Sequence, residues 1–337
     1  MKSSRGFARW ALILLVLGAV AATVWVVLRK LPPSGPLEKV SIAYLKHPGS
    51  ALLYVAQERG FFRDQGIEVT GQPMATGKQA LDLMLQNKVD LSIVADLPLV
   101  FAVAKGNKPM VLATLFRDHG GVAVVARRDR GISLPGDLRD KRVGVIFGTS
   151  SQFFFDAFLT EHQIPTDSVT LVDLKFEEIA DAITNGQVDA VCTWDPALGK
   201  LQEALKEQGL TFDSSNQYTY RLQLAASESY LRDHRDQMRR ILAALAQAEA
   251  YVAKQPAEAR NLVQQGTGMN EAAMKRGYDL GEIGLSLDQG LLLALDDQTR
   301  WAMKRGVVKS GPVPNYLDNM YLDALKAVKP EAVTLTH

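Results

Sequence analysis

The chain has 337 residues, of which 47% are hydrophobic and 22% are charged, a composition that excludes an intrinsically disordered protein. Its formal net charge is +1. Residues 1–30 hold five of the 38 Lys and Arg and none of the 37 Asp and Glu, so the remainder carries 33 minus 37, or −4. Such a mildly acidic chain lacks the basic face that a nucleic-acid partner requires. The only cysteine, Cys192, excludes an intramolecular disulfide and a multi-cysteine zinc site.

An uncharged apolar run of 19 residues, from position 10 to position 28, follows three cations near the start of the chain. This length is close to the roughly 20 residues that a transmembrane helix needs, and it predicts a membrane anchor through residues 10–28. A cleaved signal segment is the alternative, because Ala-Val-Ala at 19–21 matches a cleavage site. We favour an anchor, since the apolar run continues beyond that site. Residues 1–30 are thus an anchor or signal segment, and the proline-rich residues 31–37 predict a linker.

Strand-like and helical patterns alternate after the linker, which predicts an α/β fold with largely parallel sheets. Gly60 is expected to end the first helix of this series. The predicted strands are 40–44, 67–70, 89–94, 110–115, 122–126, 142–146, 169–172 and 188–192. The predicted helices between them are 51–59, 77–86, 98–104, 148–159 and 176–185.

The chain becomes mainly helical after residue 227. Ser229 is expected to cap a long helix whose apolar stripe runs from Leu231 to Tyr251. Pro256 is expected to interrupt that helix.

A quasi-repeat links two distant parts of the chain. Residues 87–98 and 185–196 each contain Asn, a Val-Asp pair, an apolar strand, an acidic residue and a proline. Two similar lobes would produce this pattern, each sending a strand to an aspartate at its carboxyl end, namely Asp96 and Asp195. Ligands bind at that end of open α/β sheets.

Four segments resemble the solute-binding proteins of the nitrate, sulfonate and taurine ABC importers, with the aliphatic-sulfonate branch nearest. These segments are residues 54–69, 89–98, 138–151 and 186–196. The resemblance spans about residues 38–325 and rests on the order and spacing of the segments.

The resemblance implies a two-lobed periplasmic-binding-protein fold (type 2) with two interlobe crossovers, preceded by one N-terminal hydrophobic helix. It places lobe one at 38–120 plus 226–330 and lobe two at 121–225. The chain departs from the family in one place. The helix after Gly-Thr-Ser-Ser often begins with His in the family, whereas Gln152 and three phenylalanines at 153–155 follow here, which predicts a more apolar or aromatic pocket wall.

The strand-to-helix turn at Thr149, Ser150 and Ser151 is the strongest candidate for ligand contact. Free backbone N–H groups, hydroxyl donors and the positive end of a helix dipole all favour an anionic oxygen there. Plain N-capping by Thr149 or Ser150 is the alternative.

The quasi-repeat supplies four further candidates: Asp96 and Leu97 in the first copy, and Trp194 and Asp195 in the second. The two aspartates would face each other across a cleft and accept from a hydroxyl or amine, or would only cap the helices that follow. Their mutual repulsion in a dry pocket would oppose a purely anionic ligand. Trp194 would either stack on a ligand or pack in the core.

Two loops after the first strands should reach the mouth of the cleft. Lys46, His47 and Ser50 belong to the first loop, and Thr76 belongs to the second. Lys46 and His47 could bind an anion, although a solvated loop is the simpler interpretation.

Catalytic, metal and cofactor motifs are not apparent in the sequence. The five histidines show no paired metal spacing, and the sequence lacks both a G-x-S-x-G nucleophile elbow and a Walker P-loop. We therefore expect no catalytic residue, no metal and no cofactor.

The resemblance implies the solute-binding component of an ABC importer, which captures a small organic or inorganic anion-like ligand and delivers it to an ABC permease and its ATPase. A monomer is expected, located at the periplasmic or extracytoplasmic face of the bacterial inner membrane and anchored by its N-terminal helix. Two alternatives stay open: a membrane-tethered ligand sensor, and an enzyme on the same fold.

Overall fold

The computed structural model describes residues 35–213 and 218–335. The expected anchor or signal segment at 1–30 lies outside the described residues, as does most of the expected linker. Within the described ranges, no helix combines the length and apolarity that crossing a membrane requires.

Eleven strands and thirteen helices are found in the described part of the chain. The strands are β1 (Glu38–Leu45), β2 (Ile67–Met74), β3 (Leu91–Ala95), β4 (Pro109–Asp118), β5 (Val122–Arg127), β6 (Arg142–Val145), β7 (Thr170–Asp173), β8 (Ala190–Trp194), β9 (Gly209–Asp213), β10 (Tyr220–Ser227) and β11 (Glu282–Ser286). The helices are α1 (Ala51–Glu58), α2 (Phe61–Asp64), α3 (Gly77–Leu85), α4 (Asp96–Ala104), α5 (Ser150–Glu161), α6 (Ile179–Thr184), α7 (Ala197–Leu205), α8 (Glu228–Asp233), α9 (Arg235–Lys254), α10 (Pro256–Thr267), α11 (Glu271–Met274), α12 (Gln289–Lys304) and α13 (Leu322–Val328).

The strands form two sheets that share one topology. The first has the order β11-β4-β10-β3-β1-β2 and the second has the order β7-β6-β8-β5-β9. In the first sheet, β1 pairs in parallel with β2 and β3. In the second sheet, β6 pairs in parallel with β7 and β8. Next to each parallel group lies an antiparallel strand, β10 or β5, that the chain reaches from the other sheet. This shared topology confirms the two-lobed α/β fold and explains the quasi-repeat.

The chain crosses between the sheets twice, between Asp118 and Val122 and between Asp213 and Tyr220. Strand β10 pairs with β3 and β4, so it belongs to the first sheet over its whole length. The expected lobe boundary at 225/226 falls inside this strand. We refer to the first sheet with its helices as the first lobe, and to the second sheet with its helices as the second lobe.

Local chemistry fixes several helix ends. Gly60 adopts a left-handed backbone with φ of 75° where α1 ends, so the predicted stop is confirmed. Thr76 and Gln79 form a capping box at the start of α3. Pro256 lies in the first turn of α10, where its missing N–H costs no helical hydrogen bond.

The helix predicted from Ser229 is two helices, and its cap was assigned wrongly. Ser227 caps α8, because its hydroxyl accepts from the amide of Tyr230 at 3.2 Å, and Ser229 lies in the first turn. The helix breaks at His234, whose backbone is non-helical, and α9 carries the predicted buried stripe onward.

Candidate functional site

The carboxyl ends of strands from both lobes surround one cavity of about 260 Å³. A narrow extension with room for about one water molecule adjoins it at Leu45 and Trp194. We call these two adjoining spaces the cleft. The larger space is lined by Leu45, Lys46, His47, Pro73, Met74, Ala75, Phe176, Trp194, Asp195 and Pro196. The extension is lined by Leu45, Gly77, Lys78, Ala95, Pro98, Thr149, Ser150, Trp194 and Tyr220.

The start of α5 presents three hydroxyl residues with different roles. The Thr149 hydroxyl donates to the carbonyl of Ile146 at 2.7 Å, and the Ser151 hydroxyl accepts from the amide of Ile146 at 3.1 Å. Both hydroxyls therefore hold the turn together. No side-chain cap forms from Thr149 at this helix end. The amide of Gln152 donates to the carbonyl of Thr149 at 3.1 Å, whereas the amides of Ser150 and Ser151 precede the first helical hydrogen bond and are the ones that an anion could use.

The Ser150 hydroxyl is the one of the three that the turn does not use. The residue is 3% exposed, and its oxygen has no well-directed hydrogen-bond partner in the described chain. The buried hydroxyl of Tyr218 is in the same condition. Burial raises the pKa of Tyr218, and the neighbouring Ser150 hydroxyl lowers it. The two hydroxyls are neighbours but form no well-directed bond with each other, so a bound group that supplies one would satisfy the Ser150 hydroxyl.

His47 is a buried neutral donor rather than a solvated loop residue. Its side chain is 2% exposed, and burial lowers its pKa to about 4, against the weaker opposing influence of Asp195. The Nδ1 atom accepts from the amide of Gly49 at 2.9 Å. Because a neutral imidazole with an accepting Nδ1 carries its proton on Nε2, His47 has a neutral N–H available at the cleft.

The other loop candidates have local roles. Lys46 is exposed at the rim of the cleft. The Ser50 hydroxyl donates to the carbonyl of Leu45 at 2.9 Å. Thr76 caps α3 by accepting from the amide of Gln79 at 3.2 Å. Leu97 is fully buried in the first turn of α4. Of these four, the structure brings only Lys46 to the wall of the cleft.

Trp194 is both a wall of the cleft and part of the core. It is 4% exposed, borders both spaces of the cleft and packs against Phe176 with ring centroids 5.5 Å apart. Packing in the core and contact with a ligand are therefore compatible roles for Trp194.

Asp96 is enclosed by protein groups and does not border the cleft. Its carboxylate accepts from Gln223 Nε2 at 2.7 Å and Gln298 Nε2 at 3.3 Å, and Arg221 Nη1 lies 3.6 Å away. Burial raises its pKa to about 6, and the Arg221 charge opposes that shift. The residue occupies the first turn of α4, where Ala95 is the cap position.

Asp195 borders the cleft and is neutralised by an arginine of the other lobe. Its carboxylate accepts from the amide of Gly199 at 3.0 Å at the start of α7. Two further bonds come from Arg276, with Nε–Oδ2 and Nη2–Oδ1 both 3.0 Å. The repulsion expected between two bare aspartates does not arise, because each has its own arginine.

The aromatic run at 153–155 does not line the cleft, so the expectation of an aromatic pocket wall from this segment was wrong. Phe154 and Phe155 are buried in the core, because the helical spacing turns them towards the second sheet. Phe153 packs against Trp301 with ring centroids 5.2 Å apart.

Sequence reasoning missed several residues of this region. Tyr220, Phe176 and Lys78 border the cleft, and Arg221 and Arg276 neutralise the two aspartates. Tyr220 begins β10, and the apolar pattern of that strand could have indicated that the residue at its start borders the cleft. No local signal pairs the arginines with aspartates that lie far away in the sequence.

A second cavity of about 240 Å³ lies beside the extension of the cleft. Helices α3 and α4 and residues 147–152 form its walls, and it shares Lys78 and Pro98 with the cleft. No cluster of three or more His, Cys, Asp or Glu that could hold a metal is found within 35–213 and 218–335.

The two lobes and the cleft between them define a protein of the periplasmic-binding-protein fold class. The structure is similar to the periplasmic aliphatic sulphonate-binding protein of Escherichia coli, with a TM-score of 0.67 and 18% identity over 81% of this chain and 94% of that one. For the alkanesulfonate-binding protein of Xanthomonas axonopodis, solved with MOPS, the TM-score is 0.71 and the identity 17%, over 86% and 99% of the two chains. A desulfurization enzyme has the same fold, with a TM-score of 0.67 and 16% identity over 87% and 99%.

The chain belongs to the NMT1/THI5-like family, whose model matches residues 47–259. A Haemophilus influenzae protein assigned provisionally to thiamine biosynthesis is 29% identical over 234 residues, or 67% of this chain and 73% of that protein. A Bacillus subtilis protein named provisionally as a binding protein is 25% identical over 222 residues, 64% and 66% of the two chains. A second B. subtilis protein, assigned provisionally as an aliphatic sulfonates-binding protein, is 25% identical over 150 residues, 43% and 45%.

Proposed function

We propose that the chain is the solute-binding component of an ABC importer and that it captures a small anion-like ligand in the cleft. Membership in the family and the two-lobed fold support this proposal. So do the relatives and structural neighbours that are named as sulfonate-binding proteins.

The observation that carries the proposal is the environment of Ser150. A buried hydroxyl without a well-directed partner lies at the start of a 12-residue helix and borders the space between the lobes. The helix dipole and the first-turn amides favour an anionic oxygen at this point. His47 adds a neutral N–H, and Lys46 adds positive charge at the edge of the cleft, where Lys78 also lies but is paired with Asp82 at 3.1 Å.

The two lobes would close on the ligand by a hinge motion about the crossovers, and the closed form would deliver it to a permease and its ATPase. We further propose an extracytoplasmic location. The expected anchor at 10–28 would keep the cleft near the permease and raise its effective concentration there.

We propose binding without catalysis. Among the described residues that border the cleft, the ionisable groups suited to acid–base chemistry are already engaged. His47 uses Nδ1 to accept from Gly49, and Asp195 is held by Gly199 and Arg276. His47 can donate a hydrogen bond through Nε2, but its basic nitrogen is occupied, and both oxygens of Asp195 already accept bonds, so neither group is a free general base.

A thermal-shift screen of the purified full-length chain tests the proposed function. The panel contains nitrate, taurine, short alkanesulfonates, aromatic carboxylates and a thiamine precursor. A molecule present at about 100 times its dissociation constant should raise the free energy of unfolding by about 2.7 kcal/mol. A panel in which no molecule raises the melting temperature would count against a solute-binding function.

Ser150→Ala tests the part of the site that carries the proposal. The variant should weaken binding of the best panel anion about 10-fold or more, because a hydrogen bond to a charged group is lost, and should keep the wild-type melting temperature. Ser310→Ala is the matched control, since Ser310 is exposed and borders neither space of the cleft. Equal affinity of Ser150→Ala and wild type would remove the helix terminus from the site.

A further inference from the structure

The ion pair between Arg276 and Asp195 joins the two lobes next to the cleft. Arg276 lies in a single π-helical turn, Lys275–Asp279, that follows α11 in the first lobe. Asp195 follows β8 in the second lobe. The guanidinium makes two parallel bonds of 3.0 Å to the two carboxylate oxygens, the fork geometry in which Arg binds a carboxylate most specifically.

The surroundings of this pair are shaped to admit the guanidinium. The side chains of Asp195 and Arg276 are 3% and 26% exposed. A Cβ at Gly199 would lie 2.8 Å from Arg276 Nη2 and 3.1 Å from Asp195 Oδ1, so a larger residue there would displace the guanidinium from its present position. The π-helical turn changes the direction of the side chain relative to a regular helix, and such turns occur often at functional sites.

Asp195 and Arg276 have different positions relative to the cleft. Asp195 borders its larger space, whereas Arg276 does not. The aspartate charge alone would repel an anion in that space. Arg276 neutralises this charge from a position outside the cleft. When the lobes separate, the two residues are carried on different bodies. Closure of the lobes and neutralisation of the cleft wall are therefore one event.

We propose that Arg276 determines the charge of the solute that the closed cleft accepts. By neutralising Asp195 on closure, it makes an anion compatible with the closed state and leaves a cation without a partner. Arg276 is a positioning residue, since it acts through Asp195 and does not touch the solute. The inference rests on the proposed function and adds to it the residue pair that sets ligand charge.

A second interlobe ion pair provides a matched control. Arg305 in the first lobe binds Asp156 in the second, and its Nη1 donates to Thr166 Oγ1 at 2.7 Å. Trp301 Nε1 also donates to Asp156, at 2.7 Å. None of these residues borders the cleft. Arg305→Gln therefore removes an interlobe ion pair without changing the charge of the cleft wall.

The experiment measures the dissociation constants of 1-propanesulfonate and 1-propylammonium by calorimetric titration of the full-length wild type, Arg276→Gln and Arg305→Gln. Arg276→Gln should weaken 1-propanesulfonate binding about 10- to 100-fold, as expected when a carboxylate in the wall of a partly buried site loses its neutralising partner. The same variant should strengthen 1-propylammonium binding. Arg305→Gln should change both dissociation constants by the same factor and leave their ratio unaltered.

Two further variants separate charge from packing. Arg276→Lys keeps the positive charge without the fork and should lose less than about 10-fold in 1-propanesulfonate affinity. The double variant Arg276→Gln/Asp195→Asn removes both charges and should restore most of the affinity that Arg276→Gln loses. A purely structural contact predicts instead that the double variant binds no better than the single one.

The outcomes distinguish failure of the Arg276 proposal from failure of the proposed solute-binding function. If the wild type binds 1-propanesulfonate and Arg276→Gln leaves the ratio of the two dissociation constants unchanged, the role of Arg276 is overturned and the proposed function stands. If the wild type does not bind 1-propanesulfonate, the proposed anion preference of the cleft is contradicted together with this inference.

Discussion

His47 shows how burial decides the chemistry of a single residue. Its sequence context, a loop after a strand, left two alternatives: a side chain that binds an anion or, more simply, a solvated loop residue. In the folded protein the ring lies edge-on to Phe116 and Tyr220, with centroids 5.8 and 5.9 Å away, and its pKa falls to about 4. His47 is thus a neutral donor at pH 7, and positive charge at the cleft comes from lysines.

The depressed pKa of His47 predicts a pH dependence of stability. Because the folded pKa is about 4 and the model-peptide value is 6.5, the unfolded chain binds the proton more tightly. The stabilisation is present above pH 6.5 and is lost as the pH falls towards 4. The wild type should lose about 2 kcal/mol from this group between pH 7 and pH 5.

The measurement compares urea unfolding of the wild type and His47→Asn at both pH values. Asp96 has a raised pKa of about 6, so its own contribution has the opposite sign over the same range, and it is common to both proteins. The difference between the two free energies of unfolding isolates His47. A difference that is the same at pH 5 and pH 7 would contradict the buried neutral histidine.

The sequence predicted which residues follow the key strands better than it predicted which side chains pair with them. The sequence correctly marked Asp96 and Asp195 as equivalent positions after equivalent strands. It could not reveal that Arg221 and Arg276 neutralise them. Arg276 is 81 residues from Asp195, and only the packing of the two lobes brings it within bonding distance.

At the scale of elements, Thr76 at the start of α3 allows a test that distinguishes helix capping from ligand contact. The Thr76 hydroxyl and the Gln79 side chain satisfy each other's backbone amides. We expect Thr76→Ala to lower the free energy of unfolding by about 1 kcal/mol, measured by urea denaturation, and to leave the affinity for the best panel anion unchanged. Thr76→Ser should retain most of the stability. A loss of affinity without a loss of stability would return Thr76 to the binding site.

Helix and strand patterns predicted most elements, and the errors have physical causes. Regular alternation of strand and helix patterns marked β1 to β8. Most of these strands are buried apolar runs between turn residues, whereas β2 and β7 are largely exposed. The break at His234 was missed, since the buried stripe of α9 continues the periodicity of α8 closely enough to hide it. The π-helical turn at 275–279 was also missed, because its sequence, Lys-Arg-Gly-Tyr-Asp, carries no periodic signal.

At the scale of the whole molecule, the repeated topology accounts for the position of the cleft. Each sheet directs the carboxyl ends of its parallel strands towards the other lobe, so the loops after them enclose one space. The quasi-repeat in the sequence revealed this duplication. The point where the chain returns to the first lobe was less visible, because β10 pairs with distant strands on both sides and its boundary depends on those partners.

The central claim is that the cleft at Ser150 takes up one small anion per chain. Calorimetric titration of the full-length protein with the best panel anion tests this most directly when it is paired with Ser150→Val, whose methyl groups replace the hydroxyl and occupy the narrow extension beside Tyr220. We predict one site per wild-type chain and at least about 10-fold weaker binding to a variant that still melts cooperatively. Equal affinity of the wild type and Ser150→Val for the anion would place the site elsewhere and contradict this prediction.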